Sequence, residues 1–331
     1  MDALKEIQQT IEAEIAELNE KILGSLSSSN KLMDEIIRGY LTKKGKMIRP
    51  ILVILTGKLF GGGKINENVI SAAAAVEMLH NASLIHDDVV DESQLRRSQP
   101  TINSSWGNHL AVLVGDFFVS NALQQGMSTG DIRVVGVLAN LGKLLSLGEI
   151  DQIYNARFHK LDERAYFETI SRKTASLFVS CIKMGAYCSG VDDDRLERME
   201  QFAERLGLCF QIKDDIFDYF EDPIIGKPTG TDLREGKITL PLLYALTAPA
   251  EGDRARDEQQ RMLALSRKEQ LDSEEISALI DYAKRRGGID YAYSTMDRLR
   301  DRAAAILATF PEDPTTRAFS RIFDFVIARD K

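Results

Sequence analysis

The stretch Leu84 to Glu92, LIHDDVVDE, sets three carboxylates, Asp87, Asp88 and Asp91, directly after an apolar run with helical spacing. On a helix Asp87 and Asp91 lie one turn apart and Asp88 about 100° round the axis, so the three form a small fan of oxygen ligands. Like charges at this spacing destabilise a helix by about 0.2–0.5 kcal/mol per pair, and by more where the face is partly buried. Such a group either lies on a wet surface or is met by a cation. The same pattern returns as QIKDDIFD at 211–218, where Asp214, Asp215 and Asp218 repeat the spacing 127 residues after the first motif. One acidic fan is an ordinary surface feature; repetition on a second helix points to a shared chemistry.

Outward from these two segments, helical periodicity covers nearly the whole chain and alternating β-branched runs are scarce, which predicts an all-α protein. Breaks are expected at SLSSSN (25–30), GGGK (61–64), RRSQP (96–100), EDPIIGKPTGTD (221–232) and RRGG (285–288). None is a long linker, so the chain reads as a single domain over residues 1–331. It opens with an amphipathic helix over 1–30, with Leu4, Ile7, Ile11, Ile15, Leu18 and Ile22 on its apolar face, and carries a mobile polar loop near 249–261. With 44% apolar and 28% charged residues a large core is expected. The net charge of −8 argues against nucleic acid as a partner. Cys181, Cys188 and Cys209 form neither a CxxC pair nor an even-numbered framework, which predicts a reduced, cytoplasmic protein. The first residues are too charged for a secretory signal, and no apolar run reaches the roughly 18 residues of a membrane span.

Six carboxylates with no His or Cys beside them suit a hard cation, and Mg²⁺ fits best: it takes a few carboxylates and leaves positions open for phosphate oxygens. A diphosphate bridged by several Mg²⁺ ions would neutralise both motifs. Donors for such an anion stand nearby in sequence: Arg96 and Arg97, Lys46 and Arg49, Lys173, Lys227 and Lys237. GGGK is a turn and not a phosphate loop, since Ile65 follows it and no strand precedes it. His86-Asp87 also matches the pairing of HD phosphohydrolases, but that chemistry needs further histidine ligands, and only His80, His109 and His159 remain.

Taken in order, GKMIRP (45–50), HNASLIHDDVVDESQLRRSQP (80–100), GDFF (115–118), KTASL (173–177), FQIKDDIFDYF (210–220) and GKPTGTDLREGKITLP (226–241) resemble the trans-isoprenyl diphosphate synthases, the polyprenyl synthetases. Ser98 departs from the glycine usual in that family. The resemblance implies an all-α isoprenoid synthase bundle with a deep central cavity, a homodimer, and sequential 1'-4 condensation of isopentenyl diphosphate onto an allylic diphosphate, geranyl or farnesyl. It implies that Asp87, Asp88, Asp91, Asp214, Asp215 and Asp218 hold about three Mg²⁺ ions, the oxygen-bound clamp that diphosphates use. By the same resemblance Arg96, Lys173, Gln211, Lys227 and Lys237 hold the allylic diphosphate, and Lys46, Arg49, His80 and Arg97 hold isopentenyl diphosphate. Thr174 and Gln211 would stabilise the allylic cation by their dipoles.

Side chains tilt towards a helix N-terminus, so Ala82 and Ser83 lie on the wall below the first motif; both are small, which by resemblance lets a product of roughly seven to nine isoprene units pass. Phe118 and Leu123 are the candidate floor residues. A quinone side chain is the expected use, with transient membrane contact for product release. The alternatives are a short-chain farnesyl or geranylgeranyl diphosphate synthase, a class I terpene cyclase, and a non-catalytic subunit of a two-component synthase. The cyclase lacks a use for the second complete motif, and a non-catalytic subunit lacks a use for six intact aspartates.

Overall fold

The computed structural model describes residues 3–42, 45–96, 99–190, 192–220 and 229–329. In chain order the helices are α1 (Ala3–Thr10), α2 (Glu12–Leu26), α3 (Lys31–Leu41), α4 (Ile48–Phe60) and α5 (Glu67–Val90), then α6 (Ile102–Trp106), α7 (Asn108–Ser128) and α8 (Ile132–Arg157). They continue as α9 (Glu163–Ile170), a π-helical turn over Ser171–Ala175, α10 (Ser176–Tyr187), α11 (Asp193–Phe217) and α12 (Thr231–Arg234). The last are α13 (Leu240–Thr247), α14 (Asp253–Leu265), α15 (Ser273–Arg285), α16 (Gly288–Leu307) and α17 (Pro314–Ala328). Among the described residues the strands are β1 (Leu95–Arg96) and β2 (Gln99–Pro100), one antiparallel hairpin where RRSQP predicted a break. The all-α expectation holds.

The chain forms two compact units: residues 1–143, 177–203 and 306–322 make the first, and 144–176, 204–305 and 323–331 the second. In the first unit α5 is the central element, packed by α2, α4 and α7. It is buried on every face from Val69 to His80, and its run Ala72 to Ala75 has no exposed surface. A helix enclosed all round must be apolar all round, and small alanines let neighbours approach its backbone closely. Asn66 starts it, accepting from the Val69 amide at 3.2 Å. The second unit is built on α13, packed by α9, α14 and α15, with Leu242, Ala245, Leu279, Tyr282 and Ala283 in its core.

Two sequence expectations change. The N-terminal helix is not continuous in the described residues: it breaks at Ile11 (φ −129°, ψ 31°), while its end at Leu26 falls within the expected break SLSSSN. Across the break Ile11 keeps its place on the buried face, 1% exposed, together with Leu4, Ile7 and Leu18. The polar stretch expected as a loop at 249–261 is helical from Asp253. Its residues are good helix formers, and Gln259 Nε2 donates to the carbonyls of Ala245, Leu246 and Ala248, satisfying the open C-terminal end of α13.

Phe319 of α17 and Phe202 of α11, both within the first unit, meet edge to face at 5.7 Å and are essentially unexposed. Phe319→Ala should cost about 3–5 kcal/mol of unfolding free energy, read as a lowered urea midpoint at an unchanged slope.

Candidate active site

In the first unit, Asp87 and Asp88 occupy the last turn of α5 and Asp91 is its C-cap, with the Asp91 amide donating to the Asp87 carbonyl at 2.8 Å. The three carboxylates therefore gather at the negative end of the helix dipole, where an anion is least welcome. They are not equivalent. Asp88 is 3% exposed and turns both oxygens onto Arg96: Nε lies 2.8 and 3.0 Å from Oδ1 and Oδ2, and Nη2 2.8 Å from Oδ1. This two-pronged pair closes β1 against α5 and forms part of the wall of a cavity of about 370 Å³ with Tyr40 and Trp106. Asp87 is half-buried and Asp91 exposed.

Beside them His86 Nε2 lies 3.5 Å from Asp116 Oδ1 and 3.3 Å from the Val112 carbonyl. A Cβ at Gly115 would run into this ring. The segment GDFF thus lets α7 close onto α5 at the base of the motif.

The second unit repeats the arrangement. Asp214 and Asp215 lie in the last turn of α11 and Asp218 follows directly after it. Asp215, the counterpart of Asp88, is 4% exposed and again has both oxygens taken: the Tyr166 hydroxyl donates to Oδ2 at 2.5 Å and Gln211 Nε2 to Oδ1 at 2.8 Å. Thr174 Oγ1 in turn donates to Gln211 Oε1 at 2.6 Å. Asp218 accepts from the Thr231 and Asp232 amides at 2.9 and 3.0 Å, and Asp214 Oδ1 accepts from Arg329 Nη2 at 2.6 Å.

Burial pushes the Asp215 carboxyl up to about 7; the hydrogen bonds from Tyr166 and Gln211 oppose the rise and the charges of Asp214 and Asp218 add to it. Burial raises Asp232 well above the usual carboxylate range, with Asp215 and Asp218 adding to the shift and Lys237 opposing it. Lys173, Thr174, Gln211, Asp215, Asp232 and Lys237 line one cavity of about 180 Å³.

Lys173 and Thr174 sit in the π turn, a wide turn frequent at functional sites. It sends neighbouring side chains to two helices: Arg172 pairs with Asp151 on α8, and Lys173 pairs there with Glu149 and donates to Gln152 Oε1 at 2.5 Å, while Thr174 reaches Gln211 on α11. Gly148 makes room for this turn, since a Cβ there would stand 2.6 Å from the Lys173 amide nitrogen.

Of the other expected residues, Lys46 precedes Met47, whose left-handed φ of 56° sets the entry to α4, and Arg49 lies over the Phe178 ring at 5.5 Å. His80 is buried. Ala82 has no exposed surface, whereas Ser83 is half-buried with its hydroxyl on the His80 carbonyl at 2.9 Å. Phe118 is fully buried and meets Tyr40 edge-on at 5.7 Å. Leu123, expected as a floor residue, is 36% exposed and does not share that enclosure. Arg97 and Lys227 lie outside the described residues. Tyr166, Asp232, Asp116 and Arg329 are additions. Asp116 and Asp232 lie within segments already singled out, while no local pattern marks Tyr166 or Arg329.

An all-oxygen donor set at two helix ends suits a hard divalent cation that completes its shell with phosphate oxygens. Comparison with known proteins agrees. The polyprenyl synthetase family profile matches residues 30–283. The chain is 33% identical over 309 residues to heptaprenyl diphosphate synthase component 2 of Geobacillus stearothermophilus, covering 93% of each. It is 30% identical over 329 residues to octaprenyl diphosphate synthase of Escherichia coli, covering 99% of each. A polyprenyl synthase of Caulobacter crescentus, crystallised with calcium and isoprenyl diphosphate, superposes with a TM-score of 0.87 at 31% identity over 98% of both chains. The fold is that of the all-α isoprenoid synthases. The chain belongs to the polyprenyl synthetase family and is a prenyltransferase.

The raised Asp215 carboxyl has a consequence for stability. The folded state holds this proton up to about pH 7 while the unfolded chain releases it near 4, so folding becomes less favourable as pH rises through that window. Metal-free protein should lose on the order of a few kcal/mol between pH 4.5 and 7.5 from this group, and Asp215→Asn should flatten the profile measured by urea unfolding.

Proposed function

We propose that the protein is a long-chain trans-polyprenyl diphosphate synthase that adds isopentenyl diphosphate repeatedly to an allylic diphosphate, geranyl or farnesyl, for a quinone side chain. The observation that carries this is the duplicated helix ending, each with a buried, clamped middle aspartate (Asp88, Asp215) between two more accessible ones. Mg²⁺, about three ions per site, would supply the positive charge that draws electrons onto the leaving diphosphate oxygen. Asp87, Asp91, Asp214 and Asp218 are its ligands in this reading. Asp88 and Asp215, first expected as ligands, are taken instead as the groups that hold Arg96 and Gln211 in place, because they are hydrogen-bonded to side chains and almost fully buried, whereas the other four keep accessible surface.

The remaining steps belong to protein groups. Arg96, Lys173, Lys237 and Lys227 hold the allylic diphosphate, and Lys46, Arg49, His80 and Arg97 hold isopentenyl diphosphate. The bond from carbon to the leaving oxygen breaks with its electron pair going to the diphosphate. The carbonyl of Gln211 and the hydroxyl of Thr174 steady the resulting allylic cation as fixed dipoles. The isopentenyl double bond then forms the new carbon–carbon bond, and a proton passes to the released diphosphate. No side chain acts as a covalent nucleophile.

The whole chain is taken to work as one polyprenyl synthetase domain. A homodimer is supported by exposed apolar side chains at Val112, Leu113 and Met127 in the first unit and at Ile150, Ile153, Tyr154 and Phe158 in the second, since a folded monomer rarely leaves so much apolar surface wet. A cytoplasmic setting is supported by the three free, buried cysteines, of which burial pushes Cys188 and Cys209 up to about 12. Product release is assigned to transient contact with a membrane surface; no described helix is long and apolar enough to cross a membrane.

Asp87→Ala and Asp214→Ala should each lower kcat on the order of 10³-fold with the fold retained. Incubation with Mg²⁺, farnesyl diphosphate and labelled isopentenyl diphosphate measures this, and near-normal turnover in either variant removes the metal assignment.

Product length has its own test. Ala82 has no exposed surface and would be overpacked by a ring, whereas Ser83 is only half-buried. Ser83→Phe should shorten the product to roughly three or four isoprene units by walling off the space below Asp87, while the first condensation stays active. Reversed-phase chromatography reads the outcome: an unchanged long product refutes the wall, and short products already in the wild type establish the short-chain alternative.

A further inference from the structure

Arg329 follows α17 directly and lies far in sequence from both aspartate motifs, yet its side chain is only 8% exposed. It is held in the second unit by aromatic rings: its guanidinium carbon stands 3.9 Å from the centroid of Phe210 and 5.5 Å from that of Phe217. Phe217 also meets the Lys213 ammonium at 5.1 Å, so two cations contact that ring. One nitrogen, Nη2, bridges the Phe210 carbonyl at 2.9 Å and Asp214 Oδ1 at 2.6 Å. The contact ties the carboxylate of Asp214 to the backbone one turn earlier on the same helix.

As a stabilising ion pair this is poorly built. Among the described residues Arg329 Nε has no hydrogen-bond partner, and a buried guanidinium with an unmet donor forfeits much of what the pair gains. As an orienting device it is well built, because a planar fork held against a ring, buried, and hydrogen-bonded at one end has little freedom left. It engages one oxygen, and the Asp214 side chain stays 41% exposed, so the carboxylate is aimed without being covered.

We propose that Arg329 is a positioning residue for Asp214: it fixes the carboxylate rotamer in which a divalent cation binds, and so couples the seating of its own side chain at the end of α17 to metal affinity at the second aspartate motif. This rests on the reading of Asp214 as a metal ligand. Carboxylates that ligate metals commonly depend on such outer hydrogen bonds, and their loss weakens metal binding by roughly 10–100-fold.

The test titrates full-length protein with Mn²⁺ in the presence of inorganic diphosphate, following free Mn²⁺ by electron paramagnetic resonance, with circular dichroism as the check on folding. D214A should lose most of the affinity; if it binds as the wild type does, the ligand reading of Asp214 fails, and the proposal with it. Given that loss, R329A should bind Mn²⁺ roughly 10–100-fold more weakly than the wild type. R329K, which keeps the charge but not the planar fork, should fall between, and it carries the test should R329A not fold. Wild-type or tighter affinity in folded R329A, or in R329K where R329A does not fold, overturns the proposal and leaves Arg329 as a structural anchor or a competitor for the site.

Discussion

Anionic side chains at the negative ends of helices are the constraint around which this molecule is arranged. A helix C-terminus already carries about half a negative charge, and α5 and α11 each add three carboxylates there. Left alone, these would repel one another and the carbonyls behind them. The fold responds with a dedicated donor for most of them: Arg96 for Asp88, Tyr166 and Gln211 for Asp215, the Thr231 and Asp232 amides for Asp218, and Arg329 for Asp214. In each motif the second aspartate is the most deeply buried, and becomes part of the scaffold. The outer aspartates keep more of their surface, which is where external cations can act.

The supporting architecture follows from that arrangement. To present its C-terminal turn without fraying, α5 is gripped along most of its length, and the alanine run from 72 to 75 permits this by leaving no side chain in the way. At the motif itself Gly115 admits the His86 ring, and Asp116 meets that ring. On the other unit Gly148 does the same for the π turn that carries Lys173 and Thr174. Two glycines and four alanines thus set how closely the chemistry-bearing turns can be approached.

Much of this was legible in the residues. Periodicity of 3.6 identified the helices, and the repeated DDxxD with its nearby cations identified the oxygen-rich, diphosphate-directed character of the site. Legibility failed where partners come from far away. Tyr166 is 49 residues from Asp215 and Arg329 is 115 from Asp214, and neither has a local pattern that sets it apart. It failed also in ranking the six aspartates, since spacing gives their angles around a helix but not which neighbour covers them. The polar run after Gly252 looked like a loop because it is hydrophilic, although its residues are good helix formers; the contact of Gln259 with the end of α13, which ties that helix down, is a tertiary one invisible to composition.

The π turn at Ser171–Ala175 bears on which changes of length this gene can tolerate. Such a turn holds one residue more than an α-helical turn covering the same rise, and its wider ring is the less stable of the two. A one-residue deletion here would restore ordinary helical geometry and relieve the local cost, yet it would rotate the side chains that follow by about 100° relative to those before. Lys173 and Thr174 could then no longer point at α8 and α11 while Tyr166 keeps its place on Asp215. Substitutions that preserve length leave this geometry intact, whereas insertions and deletions do not, so the segment is one where reading-frame-preserving indels act as loss-of-function changes even when they make the helix a better helix.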